Sequence, residues 1–111
     1  MQQLLHKETD QALILGFSGE IIMDVVADMK AEIEHLADCS PGKPVVFDLG
    51  GVTFMDSSGI GLLIALRRMC QEQGKNLTVT NPSPPIKKLL DMLRLTEYFS
   101  VQPTSADLPP A

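Results

Sequence analysis

The stretch 48–61, Asp-Leu-Gly-Gly-Val-Thr-Phe-Met-Asp-Ser-Ser-Gly-Ile-Gly, constrains this chain more than any other. Val45, Val46 and Phe47 lead into it as a dense apolar run with two β-branched residues, the pattern of a buried strand. Residues 60–73 follow it and are long and mostly apolar, the pattern of a buried helix. Between the two, Asp56, Ser57 and Ser58 place three small polar side chains where a helix must begin. Such residues favour the N-cap, because a side-chain oxygen accepts a bond from an otherwise unpaired helix N–H. The spacing therefore predicts a strand, a turn and a helix whose positive end carries two hydroxyls. Two roles stay open on chemistry alone. The trio is a cap for the helix, or it is a place where an anion sits, since helix N-termini suit negative charge.

The rest of the chain supplies a frame for this turn. Residues 4–6 predict a short edge strand, residues 7–10 a turn and residues 11–17 a better strand, so the first two strands form a hairpin. Ser18-Gly19-Glu20 punctuates the chain. From Ile22 the apolar positions 22, 25, 26, 29, 33 and 36 draw a helical stripe, with Asp24, Asp28, Glu32 and His35 on the other face. Two prolines and a glycine within 39–44 end that helix. A strand is expected over 45–49, broken by Gly50-Gly51. The helix over 58–73 ends at Gly74, where a left-handed residue is wanted. A short strand over 77–80 follows. Pro84 and Pro85 then suit the first turn of a helix carrying Ile86, Leu89, Leu90 and Leu93. Residues 98–101 read as a final strand, and 102–111, with three prolines, as a loose tail. Strands alternating with helices call for an α/β fold with a partly parallel sheet. The domain is expected over 1–101.

Composition excludes several function classes. The net charge is −5, and an acidic surface repels nucleic acid and anionic membranes. No apolar run approaches the ~20 residues that span a bilayer, and the N-terminus does not resemble a signal peptide. A cytoplasmic protein is expected. Cys39 and Cys70 are widely spaced and read as two reduced, buried thiols. For catalysis, Ser57 and Ser58 would need a base. His35 falls on a polar helix face and His6 near the terminus, and no G-x-S-x-G elbow is present. No metal-ligand spacing and no phosphate-cradling glycine loop occur either. A small enzyme or nucleotide-binding domain is thus disfavoured, and no cofactor is expected. Gly59 and Gly61 are read as permitting close backbone packing or the close approach of a partner.

The segment 46–63, from Val-Phe-Asp-Leu through Asp-Ser-Ser-Gly-Ile-Gly-Leu-Leu, closely resembles the central part of STAS-domain proteins, particularly bacterial anti-sigma factor antagonists. Residues 81–95 resemble that family's third helix and its approach. With the Ser18-Gly19-Glu20 step, the resemblance covers nearly the whole domain. It implies a single STAS-like domain, with a mixed, mostly parallel β-sheet of four to five strands and three or four helices. It also implies a non-enzymatic anti-sigma factor antagonist. The unphosphorylated form would bind an anti-sigma factor that is also a serine kinase, and so release a sigma factor. Phosphorylation of Ser57, the serine after the Asp, would switch this off, and a PP2C-type phosphatase would reverse it. ATP and metal ions would belong to those partners. Asp56, Ser58, Gly59 and Glu20 would border the recognition surface. The alternative is a constitutive scaffold of the same fold, within a signalling complex or a lipid-transport ATPase assembly. One departure stands out: the family's Gly-Glu-Leu-Asp or Gly-Glu-Ile-Asp is here Gly19-Glu20-Ile21-Ile22, and the next acid is Asp24.

Overall fold

The computed structural model describes residues 3–39, 41–99 and 101. Strands β1 (Gln3–Glu8) and β2 (Leu13–Ile21) form an antiparallel hairpin, with Glu8 opposite Leu13. The connecting turn is held by Thr9, whose Oγ1 accepts the backbone N–H of Gln11 at 3.1 Å and of Ala12 at 3.0 Å. Lys43 clamps it from outside, donating to Glu8 Oε2 at 2.8 Å and to the Thr9 carbonyl at 2.6 Å. Two β-α-β units follow. Helix α1 (Met23–Asp38) connects β2 to β3 (Val45–Met55), and α2 (Ser57–Glu72) connects β3 to β4 (Leu77–Thr80). Helix α3 (Pro84–Met92) closes the series. The sheet order is β1-β2-β3-β4, antiparallel at the first pairing and parallel at the other two. This is an α/β fold with three helices on a four-stranded mixed sheet.

The core is aliphatic, as a chain poor in aromatics requires. Leu13, Leu15, Phe47, Leu49 and Val79 from the strands meet Met29, Ile33, Leu62, Leu63, Leu66, Ile86 and Leu90 from the helices. Stripe positions 29 and 33 of α1 are buried and 25, 26 and 36 pack partly against the core, while Asp24, Asp28, Glu32 and His35 are exposed. Gly74 takes φ 71° directly after α2, and Pro84 and Pro85 fill the first turn of α3.

Four expectations change. Ser18-Gly19-Glu20 does not interrupt the chain, and Gly50-Gly51 does not break the strand. Both lie inside the long parallel pairing of β2 with β3. The register slips by one residue between Gly16 and Ser18, and again between Gly19 and Glu20. Each slip leaves an extra residue on β3, a bulge that bends the strand without ending it. Gly19 takes φ 110° at the second slip. Gly51 lies so close to β2 that an added Cβ would sit 2.9 Å from the Phe17 carbonyl oxygen. The glycines are therefore needed for continuous pairing, not for termination. Thirdly, no strand is present over 98–101 among the described residues. Tyr98 and Phe99 lie in turns, with local bonds from Phe99 N–H to Leu95 O and from Val101 N–H to Thr96 O, both at 3.0 Å, and one bond to the sheet, from Val79 N–H of β4 to the Phe99 carbonyl at 3.4 Å. Ser100 and the tail 102–111 lie outside the described residues. Lastly, Cys70 is buried as expected, but Cys39 is exposed at the end of α1 and both thiols are free.

Candidate functional site

The two bulges set where β3 ends. Ile21 and Met55 are Cα partners at the last rung of the β2–β3 ladder, and both side chains are buried. One rung earlier, Glu20 and Phe54 are partners and both are exposed. Alternation along a strand places the two pairs on opposite faces of the sheet. The chain then leaves the sheet at Asp56, whose N–H donates to the Ile21 carbonyl at 3.3 Å.

Asp56 is the N-cap of α2. Its backbone is extended, and its Oδ1 accepts the N–H of Gly59 at 3.1 Å. Its other carboxylate oxygen, Oδ2, accepts the N–H of Met23, the first residue of α1, at 3.4 Å. Helix α1 needs this help. Its own N-cap is Ile22, which makes no side-chain capping bond. So the acid missing from the Gly19-Glu20-Ile21-Ile22 step is replaced at α1 by an acid thirty-four positions further along the chain.

Ser57 is the first residue of α2 and is exposed; Ser58 is next and half-buried. Helix α2 has no acidic residue in its first turn. Gly59 is buried. An added Cβ there would strike the Met55 side chain and lie 2.9 Å from the Ile21 carbonyl oxygen. Of the two roles the sequence left open for Gly59, the geometry supplies close packing of α2 on the ends of β2 and β3. Gly61, one turn-position further, faces open space. Glu20 is exposed at the same end of the sheet, and Asp24 lies in the first turn of α1. Two large apolar side chains that the sequence did not single out are also exposed here. Met23 is 72% exposed and Phe54 is 51% exposed.

The turn thus presents the exposed Ser57 at a helix N-terminus directly after Asp56, while Glu20 and Phe54 are exposed near the end of the β2–β3 ladder and Met23 and Asp24 at the start of α1. His6 lies on β1 and His35 near the end of α1, so neither histidine shares an element with the serines. No cluster of three or more metal-ligating side chains occurs among the described residues. Nor is any described helix long and apolar enough to cross a membrane.

Compared with protein families, residues 3–108 match the STAS domain. The chain belongs to the STAS-domain family. The anti-sigma F factor antagonist of Paenibacillus polymyxa is 28% identical over 91 residues, covering 82% of this chain and 75% of that protein. The anti-sigma F factor antagonist of Lysinibacillus sphaericus is 27% identical, covering 86% and 81%. Among solved structures, an anti-sigma factor antagonist from Mycobacterium paratuberculosis superposes with a TM-score of 0.83 at 24% identity, covering 96% of this chain and 90% of that one. The last likeness bears on the fold alone.

Proposed function

We propose that this STAS domain is an anti-sigma factor antagonist, a binding module switched by phosphorylation of Ser57. In its unphosphorylated form it docks on an anti-sigma factor that is also a serine kinase, and the sigma factor is released. The kinase brings ATP, and a PP2C-type phosphatase with its metal ions removes the phosphate. The exchange takes place in the cytoplasm. Asp56, Ser58 and Glu20 border the docking surface.

The observation that carries this reading is the position of Ser57. It is exposed, it opens α2, and the residue before it already caps that helix. Capping by Asp56 leaves the Ser57 hydroxyl available. A phosphate there adds about −1.5 to −2 charges, and the unpaired N–H groups and dipole of α2 offset part of that charge. The fold tolerates it. A partner seated on the turn does not, because burying a hydrated dianion costs several kcal/mol unless cations meet it. At ~1.4 kcal/mol per tenfold, affinity falls by orders of magnitude. The names of the two relatives support the antagonist role.

The test uses the purified chain with the anti-sigma factor kinase of its own organism. With ATP, one phosphate is expected on Ser57 and none on Ser57→Ala. Ser57→Ala retains binding to the kinase, and Ser57→Asp loses it. Equal binding by Ser57→Asp and the unmodified chain would refute the switch and favour a constitutive scaffold.

A further inference from the structure

One carboxylate joins the starts of two helices. Asp56 Oδ1 holds Gly59 of α2 at 3.1 Å, and Asp56 Oδ2 holds Met23 of α1 at 3.4 Å. The two helices are otherwise far apart in sequence at these ends, and α1 has no side-chain cap from Ile22. Ser57 is the immediate neighbour of that carboxylate and lies at the N-terminus of α2. We infer that Asp56 is a positioning residue that transmits a charge placed on Ser57 to the first turn of α1, so that Met23 and its turn respond to the switch.

A new negative group at the first position of α2 competes for the N–H groups at that helix start, including the one Asp56 now holds. It also repels the adjacent carboxylate directly. A carboxylate is planar, and here both of its oxygens are engaged. It cannot turn away from Gly59 without turning at Met23 as well. The Met23 bond is the longer of the two, and hydrogen bonds weaken with distance, so it yields first. Because Ile22 has no side-chain oxygen, nothing in that position replaces the lost acceptor. A chain with an acid at position 22 would hold its own α1 start and be insulated from this event.

The consequence deepens the proposed switch, on which its biological meaning rests. Met23 is 72% exposed and stands at the turn that would move. The charge on Ser57 therefore acts on the surface twice. It adds a hydrated anion at the start of α2, and it loosens the backbone that presents an apolar side chain at the start of α1.

The test needs only the isolated chain, so its outcome is independent of any partner. Backbone amide exchange and amide proton shifts are followed by NMR at Met23 and Gly59, with Ser57→Asp as the charge and Ser57→Ala as the neutral control. In Ser57→Asp, Met23 exchange is expected to rise by about fivefold, the scale of one lost hydrogen bond, with an accompanying shift of its amide proton. Ser57→Ala leaves Met23 unchanged. The decisive arm adds Asp56→Ala. In that background Met23 exchanges quickly already, and Ser57→Asp adds nothing further. A merely structural Asp56 gives no such cancellation. If Asp56→Ala fails to fold, Ile22→Asp provides the second arm: it gives α1 its own cap and abolishes the Met23 response. A Met23 amide indifferent to charge at 57 overturns the inference. So does a response that persists after Asp56→Ala or Ile22→Asp. Failure of Ser57→Asp to release a kinase, with the Met23 response intact, would instead count against the proposed function alone.

Discussion

A methyl group added to Gly59 would lie 2.9 Å from the carbonyl oxygen of Ile21, and would also strike the Met55 side chain. The carbonyl is backbone in a paired strand and cannot give way. Helix α2 would have to lift from the sheet end, moving the serine turn with it. Alanine is intrinsically better than glycine in a helix by about 1 kcal/mol, yet overpacking costs about 1–3 kcal/mol. Gly59→Ala is therefore expected to destabilise the domain. Gly61→Ala, on the same helix but facing open space, should be neutral or stabilising by up to about 1 kcal/mol. Urea denaturation of the two variants checks this, and equal effects would show that Gly59 is not a packing glycine.

Asp56 should matter more to stability than an ordinary helix cap. Losing an N-cap costs about 0.5–2 kcal/mol, and Asp56 supports two helix starts. Asp56→Ala is expected at or above the upper end of that range. Asp56→Asn keeps one acceptor oxygen and should cost clearly less. The midpoint of urea unfolding reads both. A loss below about 0.5 kcal/mol for alanine would mean that neither bond matters in solution.

The strand-turn-helix around Ser57 was legible in the sequence because each part is local. Val45, Val46 and Phe47 mark the strand, Asp56 the cap and Gly74 the stop. The helical stripe of α1 and the prolines of α3 were equally plain. What escaped depends on partners distant in the chain. Glycines read as breakers when seen alone, but Gly19 and Gly51 serve bulges that exist only because β2 and β3 pair along their whole lengths. Residues 98–101 have strand-like composition, yet the Phe99 and Val101 N–H groups donate back to Leu95 and Thr96, and only the Phe99 carbonyl reaches the sheet among the described residues, accepting from Val79 N–H at 3.4 Å. The dual role of Asp56 was invisible for the same reason. It requires knowing that the end of β2 and the end of β3 are neighbours, which places Met23 beside residue 56.

Acid should loosen the end of α3 in a predictable window. Thr96 Oγ1 donates to Asp91 Oδ1 at 2.5 Å, and Lys87 Nζ donates to Asp91 Oδ2 at 3.1 Å. The Thr96 bond first, then the Lys87 bond, hold the Asp91 carboxyl below its ordinary value. Folding thus favours the ionised form. The contribution is full above the ordinary carboxylate range and is lost as pH falls through the depressed value. Asp91 is solvent-exposed, so the effect is small and weakened by salt. Thr96→Val should lessen the difference in stability between neutral and acidic solution. An unchanged pH profile in that variant would show that the Thr96 bond does not form in solution.

The two thiols should behave oppositely. Cys39 is exposed at the end of α1, while Cys70 is buried within α2. Burial raises the Cys70 pKa, and the charge of Lys75 opposes this only in part. A thiol-specific reagent acts on the thiolate and needs access. At neutral pH the native chain is expected to modify rapidly at one thiol, Cys39, and Cys70 should follow only on unfolding. Cys39→Ser should abolish the fast phase and leave the slow one. The folded state keeps Cys70 protonated where the unfolded chain releases its proton, so stability is retained below the ordinary thiol value and declines as pH rises past it. Cys70→Ala, although it leaves a cavity and lowers stability overall, should flatten that alkaline decline. Rapid labelling of both thiols in the native chain would mean that α2 does not bury its Cys70 face against the core.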